Sequence, residues 1–193
     1  MWQVRSKLWA RPRPRQWLIY SKEPVVNFGK GIQQGALFFF LLKYNINMKI
    51  EIFTKSDKET KKLGKVLARE ILKTKSKKRA VVISLGGELG SGKTTFTQGF
   101  AKGLGVRETP RSPTFVIMQI YRFRTRNLVH VDAYRLNSRD FRMLNWDDFI
   151  KNPQNIILVE WGNKIKNILP KNSVRIIFKH IGRPRERLIK IFI

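Results

Sequence analysis

The residues best able to do chemistry lie in one short stretch. Gly87-Glu88-Leu89-Gly90-Ser91-Gly92-Lys93-Thr94 has the spacing G-x-x-x-x-G-K-[ST], with a cationic side chain and a hydroxyl placed directly after a glycine-rich turn. Glycines let the backbone adopt angles and close approaches that a side chain would block, so successive N–H groups can point into one concavity and bind phosphate oxygens. A helix beginning near Lys93 would aim the positive end of its dipole at the same place. Lys93 would then reach the β and γ phosphates of a nucleotide and the Thr94 hydroxyl would ligate Mg²⁺. Gly90, Ser91, Gly92, Lys93, Thr94 and Thr95 are accordingly the candidate nucleotide contacts.

Such a loop works only between a buried strand and a helix, and the flanking sequence supplies both. "RAVVISLGG" is a continuous apolar run ending in glycines, the pattern of a strand covered on both faces in a parallel sheet. "KTTFTQGFAKGLG" places Phe96, Phe100 and Leu104 on one helical face and stops at Gly105. A metal-assisted phosphate site also needs an acid at the carboxyl end of a neighbouring strand. Asp132 closes "LVHVD" and Glu160 closes "IILVE"; either could hold Mg²⁺ or orient a water, and spacing alone does not divide the roles. The bland alternatives, less favoured, are a helix or turn cap for Asp132 and a surface acid at a strand end for Glu160. His130 shares the face of Asp132 in a regular strand, where a hydrogen-bonded structural histidine is the more ordinary reading. The "RSPTF" loop, Arg111 to Phe115, is polar and enters a strand, so a hydroxyl there could sense a γ-phosphate.

The remaining elements follow from periodicity. "KIEIF" alternates as a strand; "SDKETKKLGKVLAREILKTK" is an amphipathic helix with Ser56 and Glu59 at capping-box spacing and Leu63, Val66, Leu67 and Ile71 on its apolar face. Two β-rich segments flank the polar "RFRTRN", a helix is expected over Ser138–Ile150, a short helical piece before Pro170, and two strands around "GRPR" at the end. The class is α/β, with a mostly parallel central sheet flanked by helices and antiparallel strands toward the C-terminus.

Composition sets the outer bounds. A chain of 193 residues, 42% hydrophobic, supports one ordinary core. With no cysteine there are no disulfides, thiolate metal sites or thiol nucleophile, and two histidines leave little for zinc. The net charge of +27 points to a polyanionic partner, RNA first, or to a generally basic proteome, because the charge is spread along the chain. No apolar run approaches the ~20 residues needed to span a bilayer, so a soluble, cytoplasmic protein without a membrane partner is expected. Residues 1 to 47 carry one acid and no amphipathic period. A targeting segment, an RNA-contacting arm and sequence upstream of a start at Met48 are the readings; the expectation is a basic extension, disordered or upstream of the true start, before an ATPase domain over residues 48 to 193.

Taken in order, "GGELGSGKTTFTQGFAKGLG", "SPTFVI", "HVDAYRL" and "VEW" resemble the TsaE family of small P-loop ATPases, required in bacteria for threonylcarbamoyladenosine modification of tRNA next to the anticodon. The resemblance runs from about Met48 to the C-terminus. It implies a P-loop NTPase-like fold, ATP or ADP and Mg²⁺ as cofactors, weak intrinsic hydrolysis, and assembly with the TsaD and TsaB proteins, with tRNA met directly or through that complex. Lys93 and Thr94 would be the phosphate and metal residues, Glu160 a second metal-site residue and Asp132 an acid needed for hydrolysis. Thr60 matches a threonine near the nucleotide, Thr114 the switch-like loop and Trp161 the aromatic beside the metal-site glutamate. Many relatives carry a further acid after the Glu-Trp pair where this chain has "GNKI", so no third acid is assumed. A timer role for hydrolysis is expected, because the chain offers machinery for one phosphate cleavage and no acyl-transfer triad. No arginine stands out as a finger, though Arg111 and Arg135 are candidates, and a partner could organise the missing charge. A small-metabolite kinase, with "RFRTRN" as its lid, and a non-catalytic RNA-binding protein are the competing readings.

Overall fold

The computed structural model describes residues 49–73, 78–112 and 117–192; the N-terminal extension and Thr114 lie outside them. The elements are β1 (Lys49–Thr54), α1 (Asp57–Lys73), β2 (Val81–Gly87), α2 (Lys93–Leu104), β3 (Met118–Phe123), β4 (Arg126–Asp132), α3 (Ser138–Met143), α4 (Trp146–Lys151), β5 (Asn155–Glu160), a 3-10 turn (Gly162–Ile165), β6 (Val174–His180) and β7 (Arg187–Phe192). The strands form one sheet in the order β1-β7-β6-β2-β5-β4-β3. β6, β2, β5 and β4 run parallel, and antiparallel pairs close both margins: β6–β7 and β7–β1 on one side, β3–β4 on the other.

Side chains alternate across a strand, and the central strands are apolar on both faces, so the sheet has two cores. Ile83 and Leu85 of β2 and Ile156 and Leu158 of β5 face Leu67, Ile71, Phe96, Phe100 and Leu104 of α1 and α2. Val82, Ile157 and Val159 face Phe141, Trp146 and Ile165 of α3, α4 and the 3-10 turn. All six residues of β5 are buried, the apolar run Ile156 to Val159 and also Asn155 and Glu160 at its ends.

α1 begins as its capping residues predict, with the Ser56 hydroxyl accepting from Glu59 N–H at 3.3 Å, although the Glu59 carboxylate reaches back to Lys55 N–H at 2.7 Å instead of closing on Ser56. Its buried face is rotated from the expected one. Thr60, Gly64, Leu67, Ala68 and Ile71 are inside while Leu63 and Val66 are half-buried. Glycine contacts account for the rotation: a Cβ on Gly64 would lie 2.4 Å from Phe96 O, on Gly99 2.1 Å from Lys61 O, and on Gly103 2.6 Å from Lys65 O. The helix backbones touch, and hydropathy does not register that.

Two other expectations change. The helix over Ser138–Ile150 is two helices, because Asn145 takes a left-handed conformation (φ 52°) between them. An Asn137–Asp140 capping box starts the first, and Phe141 and Trp146 then meet edge to face at 5.0 Å across the break. The lid-like "RFRTRN" is no lid: it forms the ends of β3 and β4 and the tight turn between them, with Arg124 at φ 48°.

Gly99→Ala would tell which effect rules the α1–α2 contact. Alanine improves helix propensity by about 1 kcal/mol, but a methyl 2.1 Å from a backbone oxygen forces the helices apart. The expected net result is a loss of about 1–3 kcal/mol in urea denaturation, against almost none for the exposed Lys102→Ala.

Candidate nucleotide-binding site

β2 delivers the chain to the glycine-rich loop at the centre of the sheet, and the turn is possible only with glycine. Gly87 has φ 135° and lies so close to β6 that a Cβ would stand 2.4 Å from Phe178 O; Gly92, the N-cap of α2, has φ 97°. The N–H groups at the start of α2 have no partner within the helix and are free to meet an anion.

Lys93 is buried, with its Nζ donating to the carbonyls of Gly87 (2.9 Å) and Glu88 (2.8 Å) and standing 3.9 Å from the centre of the Trp161 ring. Burial lowers its pKa, while the charges of Glu160 and Asp132 pull the other way. Trp161 reaches this position because it leaves β5 in a left-handed conformation (φ 60°), and the Tyr134 ring lies tilted beside it at 5.0 Å between ring centres.

The two strand-end acids are register partners, Asp132 on β4 opposite Glu160 on β5, so both stand at the carboxyl edge of the sheet beside the loop. Glu160 is 2% exposed, yet both of its oxygens are satisfied. Oε2 accepts from the Thr94 hydroxyl at 2.9 Å, and Oε1 lies 2.9 Å from His130 Nε2. Thr97, one helical turn beyond Thr94, places its hydroxyl 3.0 Å from Lys93 O and 3.3 Å from Glu160 Oε1. Asp132 accepts from Tyr134 N–H through Oδ1 (2.8 Å) and from the Ser112 hydroxyl through Oδ2 (3.0 Å). It therefore caps a local turn and holds the Ser112 hydroxyl at once.

The sequence-predicted residues thus fall into groups. Lys93, Thr94, Asp132 and Glu160 converge, with Trp161 among them. Thr60 is buried beside the loop, bonded to Thr54 at 2.8 Å, with its methyl 3.9 Å from where a Gly92 Cβ would be. Gly90, Ser91 and Thr95 lie in the loop and the first turn of α2; the Ser91 hydroxyl is buried without a partner. Arg111 and Arg135 are on the surface. His130 is the buried, hydrogen-bonded histidine that the ordinary reading expected, but its partner is the site glutamate. Ser112 is one of the two hydroxyls that the "RSPTF" reading offered, whereas Thr97, Tyr134 and Arg187 were not singled out from sequence. Thr97 was within reach, because residues three apart share a helix face; Arg187 is 96 residues from the loop and gave no local signal.

No group of three histidines or acids stands together as a metal cage among the described residues. A hard divalent ion bound here would rest on Thr94, Glu160 and phosphate oxygens, the ordinary arrangement for Mg²⁺. No described helix is long and apolar enough to cross a membrane.

Residues 54–189 match the family model described as threonylcarbamoyl adenosine biosynthesis protein TsaE. A Bacillus subtilis protein named tRNA threonylcarbamoyladenosine biosynthesis protein TsaE is 37% identical over 129 residues, 67% of this chain and 77% of its own length. The Haemophilus influenzae protein of that name is 33% identical over 114 residues, 58% of this chain and 71% of its own. Among solved structures, Bacillus subtilis YdiB superposes with a TM-score of 0.61 at 33% identity, over 76% of this chain and 86% of that one.

His130→Phe would strip the buried Glu160 of one partner. The expected cost is about 1–3 kcal/mol in urea denaturation, with His130→Asn, which keeps a side-chain N–H, losing less. Equal stability of both variants and the parent would show that His130 does not support Glu160.

Proposed function

The chain belongs to the TsaE family, and from that premise we propose that it binds and slowly hydrolyses ATP as a conformational timer for threonylcarbamoyladenosine modification of tRNA. The observation that carries this reading is the Thr94–Glu160 hydrogen bond beside Lys93 at the mouth of a glycine loop. These are the parts of a phosphate-cleaving site, and the stretch that would have served a kinase as a lid is a hairpin turn.

Each residue then has a task. Loop N–H groups and the start of α2 receive the phosphates. Lys93 leaves the carbonyls of Gly87 and Glu88 and moves to the phosphate oxygens, where its charge is matched. Thr94 and Glu160 would hold Mg²⁺, which supplies positive charge to phosphates in transfer. Asp132 orients the attacking water and takes its proton. Ser112, bonded to Asp132, gives that acid a switch-like hydroxyl through which the state of the phosphates can be sensed. Loose phosphoryl-transfer transition states need more positive charge than Lys93 alone provides, so hydrolysis is slow until the TsaD and TsaB proteins complete or organise the site.

The test is ATP turnover by the full chain and by Lys93→Ala and Asp132→Ala, with and without the cognate TsaD and TsaB proteins. The expected result is slow turnover alone, stimulation by the partners, and loss of at least about tenfold in both variants. Turnover that appears only when a small phosphate acceptor is supplied, and ignores the partners, would overturn the reading in favour of a kinase.

A further inference from the structure

The outer wall of the glycine loop is the β6–β7 hairpin, and their contact is unusually complete. Three successive loop carbonyls are each engaged from that hairpin. Leu89 O lies 3.3 Å from His180 Nε2, Gly90 O accepts from Arg187 Nη2 at 3.1 Å, and Ser91 O accepts from Arg187 Nε at 3.0 Å. The same guanidinium donates through Nη1 to Pro184 O (2.6 Å) and Glu186 O (2.9 Å), the carbonyls of the hairpin turn itself. Arg187 is 8% exposed, and none of the ion pairs among the described residues includes it. A nearly buried guanidinium surrounded by carbonyl dipoles alone is costly to keep as a mere structural tie. Its planar fork is, however, the side chain best suited to fixing several acceptors at once.

We propose that Arg187 is a positioning residue for phosphate binding, bracing the glycine loop from outside so that its N–H groups face the ligand. The proposal rests on the reading of this loop as a nucleotide site. In a planar peptide the C=O and the next N–H point in opposite directions, so holding Ser91 O against β7 turns Gly92 N–H away from it, toward the inner side. Register reinforces the arrangement. Arg187 pairs with His180 on β6 and with Thr54 on β1, and Thr54 bonds Thr60, whose methyl lies 3.9 Å from where a Gly92 Cβ would be. A Cβ on Gly92 would be 3.6 Å from Arg187 Nε, so the loop lies directly on the guanidinium. The net charge of this device also favours an anionic ligand, because the arginine adds positive charge behind the loop with no carboxylate paired to it.

The test uses the intact chain with Arg187→Lys and Arg187→Met, titrated calorimetrically with ADP and with pyrophosphate, alongside hydrogen–deuterium exchange. Lysine keeps the charge but cannot span two loop carbonyls and the hairpin turn together. Both variants are expected to bind ADP and pyrophosphate at least about tenfold more weakly, with faster exchange confined to the loop and the start of α2. Parent-like affinity in Arg187→Lys would overturn the brace, since charge alone would then suffice. Faster exchange spread over β4 and β5 would also overturn it, by showing a general structural role. Should Arg187→Met not fold, Arg187→Lys decides the matter alone. A parent chain that binds neither ligand would defeat the nucleotide reading itself and this proposal with it.

Discussion

Glu160 is a carboxylate almost withdrawn from water at the end of the most buried strand, and much of the site is arranged to make that tolerable. An ionised carboxyl in such a place needs hydrogen bonds on both oxygens and a positive charge nearby. His130 comes from the adjacent strand, Thr94 and Thr97 come from the first turns of the helix after the loop, and Lys93 supplies the cation. The main chain joins in as well, with Ala133 N–H donating to Glu160 O at 2.9 Å. Satisfying one buried acid thereby locks β4, β5 and α2 into the relative positions that a phosphate site also requires. Stability and site geometry share the same atoms here.

Legibility in the sequence followed the range of the interaction responsible. The loop, its strand and its helix were readable because their signals are local: a glycine spacing, an apolar run, an i, i+4 phenylalanine pattern. Asp132 and Glu160 were readable as strand-end acids, but not their division of labour, which depends on cross-strand register and on the Ser112 and His130 contacts. The apolar face of α1 was misplaced by part of a turn because Gly64, Gly99 and Gly103 bring two backbones together, and close approach leaves no trace in hydropathy. Asn145 broke a helix that periodicity alone would continue, since a left-handed asparagine is a local conformational choice invisible to a hydrophobic pattern. Arg187 was hidden most fully. It opens the last strand just after "GRPR", where sequence reads only a strand start, and the fold then lays its side chain against the loop.

The sheet's margins have a corresponding logic. Parallel strands in the middle put all their carboxyl ends, and hence both acids and the loop, on one edge of the sheet. Antiparallel pairs at either side then need only short turns, and on the β6–β7 side the strand ends bring His180 and Arg187 against the loop. At the β1 margin, Glu51 of β1 is paired across the strands with Lys190 at 2.8 Å and flanked by Lys49 at 2.7 Å. Burial would raise its pKa, but the two lysines outweigh that and hold it below the ordinary value, so the strand that supplies Thr54 is fastened by charge as well as by its ladder.

Lys93 bonded to the carbonyls of its own loop has a consequence for selectivity. Its ammonium is already hydrogen-bonded, so under the proposed reading an incoming anion would exchange with two carbonyls and an aromatic face. That exchange sets a threshold. A lone phosphate ion would gain the lysine but few loop contacts in return, whereas a chain of phosphates long enough to engage the loop and the helix start together would exceed the threshold. Under that reading the loop would favour a phosphate chain over inorganic phosphate without any pocket shaped to exclude the smaller ion.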